Sequence, residues 1–225
     1  MPGAGSLAYN EVSGALSRAA SDTPPQRKAQ DMAQFVSYYP DVIVQGAWML
    51  ALLGVLGEPA GMLAARAGLL GIQPDQWYPQ QPFLDALREV CALAPAGLYD
   101  AGQRLGDRLT FPPEVHTVAA ALLALEDRYQ FHHRNDDRSH WRVTVEGRRA
   151  LTCVSSTPYP SDVEYGIVGA LVRRYHPAGL HCRVVHDLSE PTRKAGADSC
   201  TYRVRWGAQA AHEAKAQAGR TVVGG

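Results

Sequence analysis

The 225-residue sequence has no excess of either charge, no bilayer-length apolar run and no glycine-rich phosphate loop. Lys plus Arg total 22 and Asp plus Glu total 22. That neutral sum argues against nucleic acid or a membrane surface as the main partner. The longest uncharged run, Val42 to Gly57, is 16 residues and is interrupted by Gln45, Gly46 and Gly54. It falls short of the ~18–20 residues a bilayer span needs and reads as a buried core helix. The first residues lack a basic region followed by an apolar stretch, so no secretory signal is evident and the expected compartment is the cytoplasm. Cys91, Cys153, Cys182 and Cys200 are too few and too scattered for a disulfide framework. No phosphate-cradling motif of the dinucleotide or NTPase type occurs.

A catalytic constellation is missing as well. The acidic pairs Asp136–Asp137 and Asp162/Glu164 sit in a polar loop and in a first helical turn. At such places acids are usually solvated or stabilise a helix N-terminus. Nothing in the sequence pairs Cys91 or Cys153 with a base. The chain therefore leans away from an enzyme.

What is present divides into helices first and strands later. Residues 1–28 are rich in Gly, Ala, Ser and Pro, with one weak helical stretch from Leu7 to Ala20, and read as a flexible extension. A single domain is expected over residues 29–207 and a tail over 208–225. Within the domain, helical patterns cover Val42–Gly57, Gly61–Leu70, Phe83–Leu93, Leu98–Leu105 and Val115–Tyr129, while Ile72–Pro82 reads as a loop. Strands are expected at about 141–146, 150–155, 180–185 and 200–206, with a helix from Ser161 to Tyr175 between the second and third. The fold class is α+β: an N-terminal helical layer packed on a small four-stranded antiparallel sheet with one inserted helix.

The segment Thr152–Trp206 carries a resemblance. It runs from a strand through the Pro158-Tyr159-Pro160 turn and a helix containing Gly166 into a hairpin. The turn Lys194-Ala-Gly-Ala-Asp-Ser-Cys200 feeds its aromatic second arm, which ends at Trp206. This order resembles the superfamily of four-vinyl-reductase domains, heme-nitric-oxide-binding domains and TRAPP vesicle-tethering subunits. The likeness covers Val118–Trp206, and Leu63–Leu93 agrees in pattern.

The resemblance implies a ligand site between helical layer and sheet, for which Trp48, Trp77, Tyr78, Phe83, Tyr129 and Trp141 are the candidate walls. It implies heme in some members, held by an axial histidine with a downstream Tyr-x-Ser-x-Arg motif. That motif is absent, and His116, His132 and His133 remain as candidate ligands. It also implies a structural zinc at the final hairpin, for which Cys182, His186, Glu190 and Cys200 are candidates, with Thr192 where a second hairpin cysteine is expected.

Three readings follow. The first is a sensory or regulatory domain for a small hydrophobic ligand (aromatic, tetrapyrrole or gas) that acts through a signalling partner protein. The second is an accessory protein or enzyme of tetrapyrrole handling. The third is a ligand-free dimeric scaffold. A homodimer is expected, because the all-round apolar Val42–Gly57 helix leaves surface to cover.

Overall fold

The computed structural model describes residues 34–190 and 192–207. The expected N-terminal extension, its Leu7–Ala20 helical stretch and the C-terminal tail lie outside the described residues. Strand β1 (Ile43–Gln45) leads straight into α1 (Gly46–Leu56), followed by α2 (Glu58–Arg66). Then come β2 (Trp77–Pro79), α3 (Gln80–Leu93), α4 (Leu98–Arg108) and α5 (Val118–His132). The second half consists of β3 (His133–Arg134), β4 (Trp141–Gly147), β5 (Ala150–Ser155), α6 (Ser161–Tyr175), β6 (His181–His186) and β7 (Cys200–Gly207).

The expected four-stranded antiparallel sheet is present, in the order β4-β5-β7-β6. Alternation sets its two faces. Leu151, Cys153, Ser155, Cys200, Tyr202 and Val204 point into the core, and Arg142, Thr152, Arg203 and Arg205 point away from it. A second, three-stranded sheet of order β2-β1-β3 was not expected. It forms because Ile43–Gln45 pairs with Trp77–Pro79 on one side and with His133–Arg134 on the other. The segment read as a loop is therefore partly a strand, and α3 starts at Gln80 directly after it. Helix α5 also starts later than the pattern indicated. Its N-cap is Thr117, whose hydroxyl accepts a hydrogen bond from the Ala120 N–H at 3.1 Å.

Helices α4 and α6 cross in backbone contact. A Cβ built on Gly102 would lie 2.0 Å from the Val163 carbonyl oxygen, and one on Gly166 would lie 2.1 Å from that of Tyr99. Two glycines facing each other thus let the helices approach more closely than any side chain permits. This crossing holds α6 against the inner face of the sheet, where the Tyr202 hydroxyl lies 3.0 Å from the Ser161 carbonyl and 3.0 Å from Glu164 Oε2 and shares its one proton between them.

Candidate functional site

Between the helices and the mouth of the sheet lies an enclosed cavity. Its walls are Trp48 and Leu52 of α1, Leu105 of α4, Leu125, Arg128 and Tyr129 of α5, Trp141 of β4, Thr157 and Tyr159, and Val163, Glu164 and Ile167 of α6. The space open to the centre of a water molecule is about 20 Å³, room for about one water.

Tyr159 organises this region. Prolines on both sides restrict its backbone, and its ring meets Trp48, Phe83, Tyr129 and His133 edge-on at 5.5–6.3 Å. Its hydroxyl lies 2.7 Å from His133 Nε2, while His133 Nδ1 lies 2.8 Å from the Tyr129 carbonyl. A carbonyl can only accept, so Nδ1 carries the proton and Nε2 accepts from Tyr159. The His133 ring also stacks on Tyr129 at 3.8 Å. Burial lowers its pKa to about 4, and it is neutral. Tyr129 in turn donates to Asp136 at 2.8 Å, and burial raises its own pKa.

On the sheet side of the cavity, Glu164 is the centre of a buried polar cluster. Its carboxylate accepts from Ser155 at 2.8 Å, from Thr157, from the Tyr202 hydroxyl at 3.0 Å and from the Arg193 guanidinium. Arg193 further donates to the Tyr159 carbonyl at 2.9 Å. Burial pushes the Glu164 carboxyl up, and the Arg193 charge and the hydroxyl donors pull it back.

The expected wall residues divide into two groups. Trp48, Tyr129 and Trp141 line the cavity. Phe83 is fully buried behind Tyr159, in the core. Trp77 and Tyr78 do not reach the cavity, which corrects the expectation for them. Both belong to β2, where Trp77 lies under the Arg134 guanidinium at 3.9 Å and the Tyr78 hydroxyl accepts from the Gln73 N–H at 2.8 Å. Glu164 also departs from its expected role. It does not serve the helix N-terminus from solvent, whereas its neighbour Asp162 does sit at the surface, bound to Lys194 at 2.5 Å.

The histidine candidates are dispersed. His116 is exposed and bound to the Glu114 carbonyl at 2.6 Å. His132 faces Gln45 Oε1 at 2.8 Å and stacks on Trp48 at 5.7 Å; burial lowers its pKa to about 4. Both nitrogens of His133 are engaged. The candidate zinc ligands are not assembled either. Cys182 pairs with Trp206 and His186 with Tyr202, so Cys182 lies about 20 Å along the sheet from Cys200 at ~3.3 Å per residue. Among the described residues, no three His, Cys, Asp or Glu side chains come together in a way that could hold a metal ion.

No protein-family model and no curated protein matches the sequence. Solved structures do match. A Cs H-NOX mutant carrying 4-cyano-L-phenylalanine superposes with a TM-score of 0.53 at 9% identity, over 72% of this chain and 96% of that one. An unliganded Fe(II) H-NOX mutant from K. algicida gives 0.54 at 9% identity, over 75% and 99%. A T. tengcongensis H-NOX mutant gives 0.52 at 10% identity, over 72% and 97%. The fold is H-NOX-like. At such identities the likeness concerns the fold alone, and the four-vinyl-reductase and TRAPP branches of the resemblance gain no support from it. No helix among the described residues is long and apolar enough to cross a membrane.

Proposed function

We propose that this chain is a sensory or regulatory domain that takes a small, mainly apolar molecule between its helical layer and its sheet, without heme. The observation that carries this reading is the space walled mainly by Trp48, Leu52, Leu125, Tyr129, Trp141 and Ile167, with polar groups at Glu164 and Thr157 on one side and Arg128 of α5 on the other. Apolar walls with a few fixed polar groups are the ordinary chemistry of small-molecule sites. Trp48 is the apolar wall nearest the surface, because its side chain is only partly buried. A rotation of that ring would admit a ligand larger than water. A signalling partner protein belongs to this reading.

Heme is the group this fold implies, since H-NOX structures similar to it are described by their Fe(II) state and by heme distortion. The residues here do not fit it. A space of about 20 Å³ is far below the ~300–1,000 Å³ of pockets that bury even a drug-sized ligand. His133, which borders this region, has no free ring nitrogen, and His116 and His132 are not among the wall residues. The near-filled cavity also favours a second reading, a ligand-free scaffold whose interlayer space is plain core.

The test combines hemin with a panel of small aromatics. Hemin titration should give no stoichiometric Soret band. At least one probe such as indole should shift the methyl resonances of Leu125 and Ile167 saturably. A stoichiometric heme complex would overturn the proposal, and silence of every methyl group would select the scaffold.

A further inference from the structure

We infer that the solvent-facing side of the four-stranded sheet docks on an anionic phospholipid surface. The neutral total charge conceals a segregation along β4. At the Trp141 end, Asp41, Glu126, Asp136 and Asp137 line one open cleft, and Glu126 Oε2 accepts the Trp141 N–H at 2.6 Å. The Gly147 end is about 20 Å away at ~3.3 Å per residue and is basic.

The register builds that basic end. Arg205 of β7 stands directly opposite Arg183 of β6 on one side and Ala150 of β5 on the other. Arg148 and Arg149 form the β4–β5 turn, which is tied to this corner by the Trp206 N–H donating to the Arg149 carbonyl at 3.0 Å. Arg142 adds a further outward charge along the face. All five side chains are exposed, and none has a carboxylate within ion-pair distance among the described residues. Arg203, in the middle of the face, is different: Asp187 holds it at 2.5 Å and Glu146 at 3.7 Å. Like charges directly opposite each other on a sheet destabilise it. The Arg183–Arg205 pair therefore carries a cost that an external anion would relieve.

Two features select a lipid surface over nucleic acid. The outward positions of β4 to β7 hold Thr144, Glu146, Ala150, Thr152, Val154, His181, Val185 and Thr201 beside the arginines, with no Phe, Tyr or Trp to stack bases. An exposed sheet face of four strands also presents its arginines over an area, as a layer of phosphates does, and not along a groove. The acidic cleft lies at the other end of β4, about 20 Å along the sheet, so the Arg148–Arg149 corner would meet the anionic surface more closely than the Trp141 end.

The test is co-sedimentation of the full chain with vesicles of one part phosphatidylserine to two parts phosphatidylcholine, compared with phosphatidylcholine alone. Binding is expected only to the first and should weaken steeply as salt rises. The double variant Arg183→Gln/Arg205→Gln should bind about 30-fold more weakly, as two basic residues near an anionic surface imply. Its melting temperature should not fall, because it removes a like-charge pair. Arg108→Gln, on the helical side, should bind as the parent does. Equal binding to both vesicle types, no binding, or an unaffected double variant would overturn the proposal. So would tighter binding to a duplex DNA of equal charge than to the anionic vesicles.

Discussion

Arg193 and Glu164 form an ion pair out of contact with solvent, their side chains 0% and 2% exposed. The pair joins the β6–β7 connection to the first turns of α6, and Tyr202, Thr157, Ser155 and the Tyr159 carbonyl add hydrogen bonds to it, while Arg193 Nε has no partner among the described residues. Such a pair contributes little net stability over an apolar replacement, yet breaking it from one side strands a buried charge. Arg193→Met should therefore cost about 3–5 kcal/mol. The double variant Glu164→Leu/Arg193→Met should cost clearly less than the sum of its single variants. Urea unfolding of the four proteins measures this, and additive losses would show that the two charges do not depend on each other.

Acid should unfold the domain before its surface carboxylates titrate. Burial holds His133 and His132 near pKa 4, below the ordinary value of 6.5. The unfolded chain therefore takes up these protons first. Stability is fully present above about pH 6.5 and is lost as pH falls towards about 4, by about 3 kcal/mol for His133 alone. His133→Gln should flatten the decline between pH 6.5 and 4 even if it lowers stability at pH 7. An unchanged slope would mean that His133 is charged when folded.

The α4–α6 crossing leaves no room for a methyl group. Gly102→Ala and Gly166→Ala each place a Cβ about 2 Å from a backbone oxygen, which no side-chain rotation relieves. Ordinarily Gly→Ala stabilises a helix by roughly 0.5–1 kcal/mol. Here each variant should destabilise by about 2 kcal/mol or more, because overpacking forces the backbones apart. Thermal melts would decide: a variant melting above the parent would mean that the helices are not in backbone contact.

The sheet was legible because Trp141, Val143 and Val145 alternate with polar residues, and each later strand is bounded by turn residues. The small second sheet was not, because three- and two-residue strands have no period to detect; only pairing in space defines β1, β2 and β3. The same gap misplaced Trp77 and Tyr78. Glu164 left a signal that went unused: it shares a helical stripe with Ile167, Val168 and Leu171, all buried. A carboxylate on an apolar stripe needs a partner. Arg193, in a turn 29 residues later, could not be picked out as that partner without the fold. Trp48, Tyr129 and Trp141 were legible only as apolar aromatics at element ends.

Chelation should leave the fold unchanged. Cys200 is buried beside the Arg193 backbone N–H, at 3.5 Å, and Cys182 lies at the far end of the β6–β7 pairing. Protein dialysed against a strong chelator should keep its melting temperature and contain zinc well below one equivalent. A drop of several degrees restored by zinc would show that the β6–β7 connection rearranges to collect ligands.

Trp48 and Trp77 should respond in opposite ways to a small aromatic probe. Trp48 closes the interlayer cavity, so Trp48→Ala should destabilise the domain by a few kcal/mol and leave an apolar space. Dry spaces of that kind accept benzene-sized molecules. Indole should therefore raise the melting temperature of Trp48→Ala more than that of the parent, since binding to the folded state alone stabilises it. Trp77 only supports the Arg134 guanidinium on the outer side of β2, a contact worth about 0.5–1 kcal/mol where exposed. Trp77→Ala should lose about that much stability and respond to indole as the parent does. If indole instead loses its effect in Trp77→Ala and acts equally on Trp48→Ala and the parent, the binding site lies beside β2 and not between the layers.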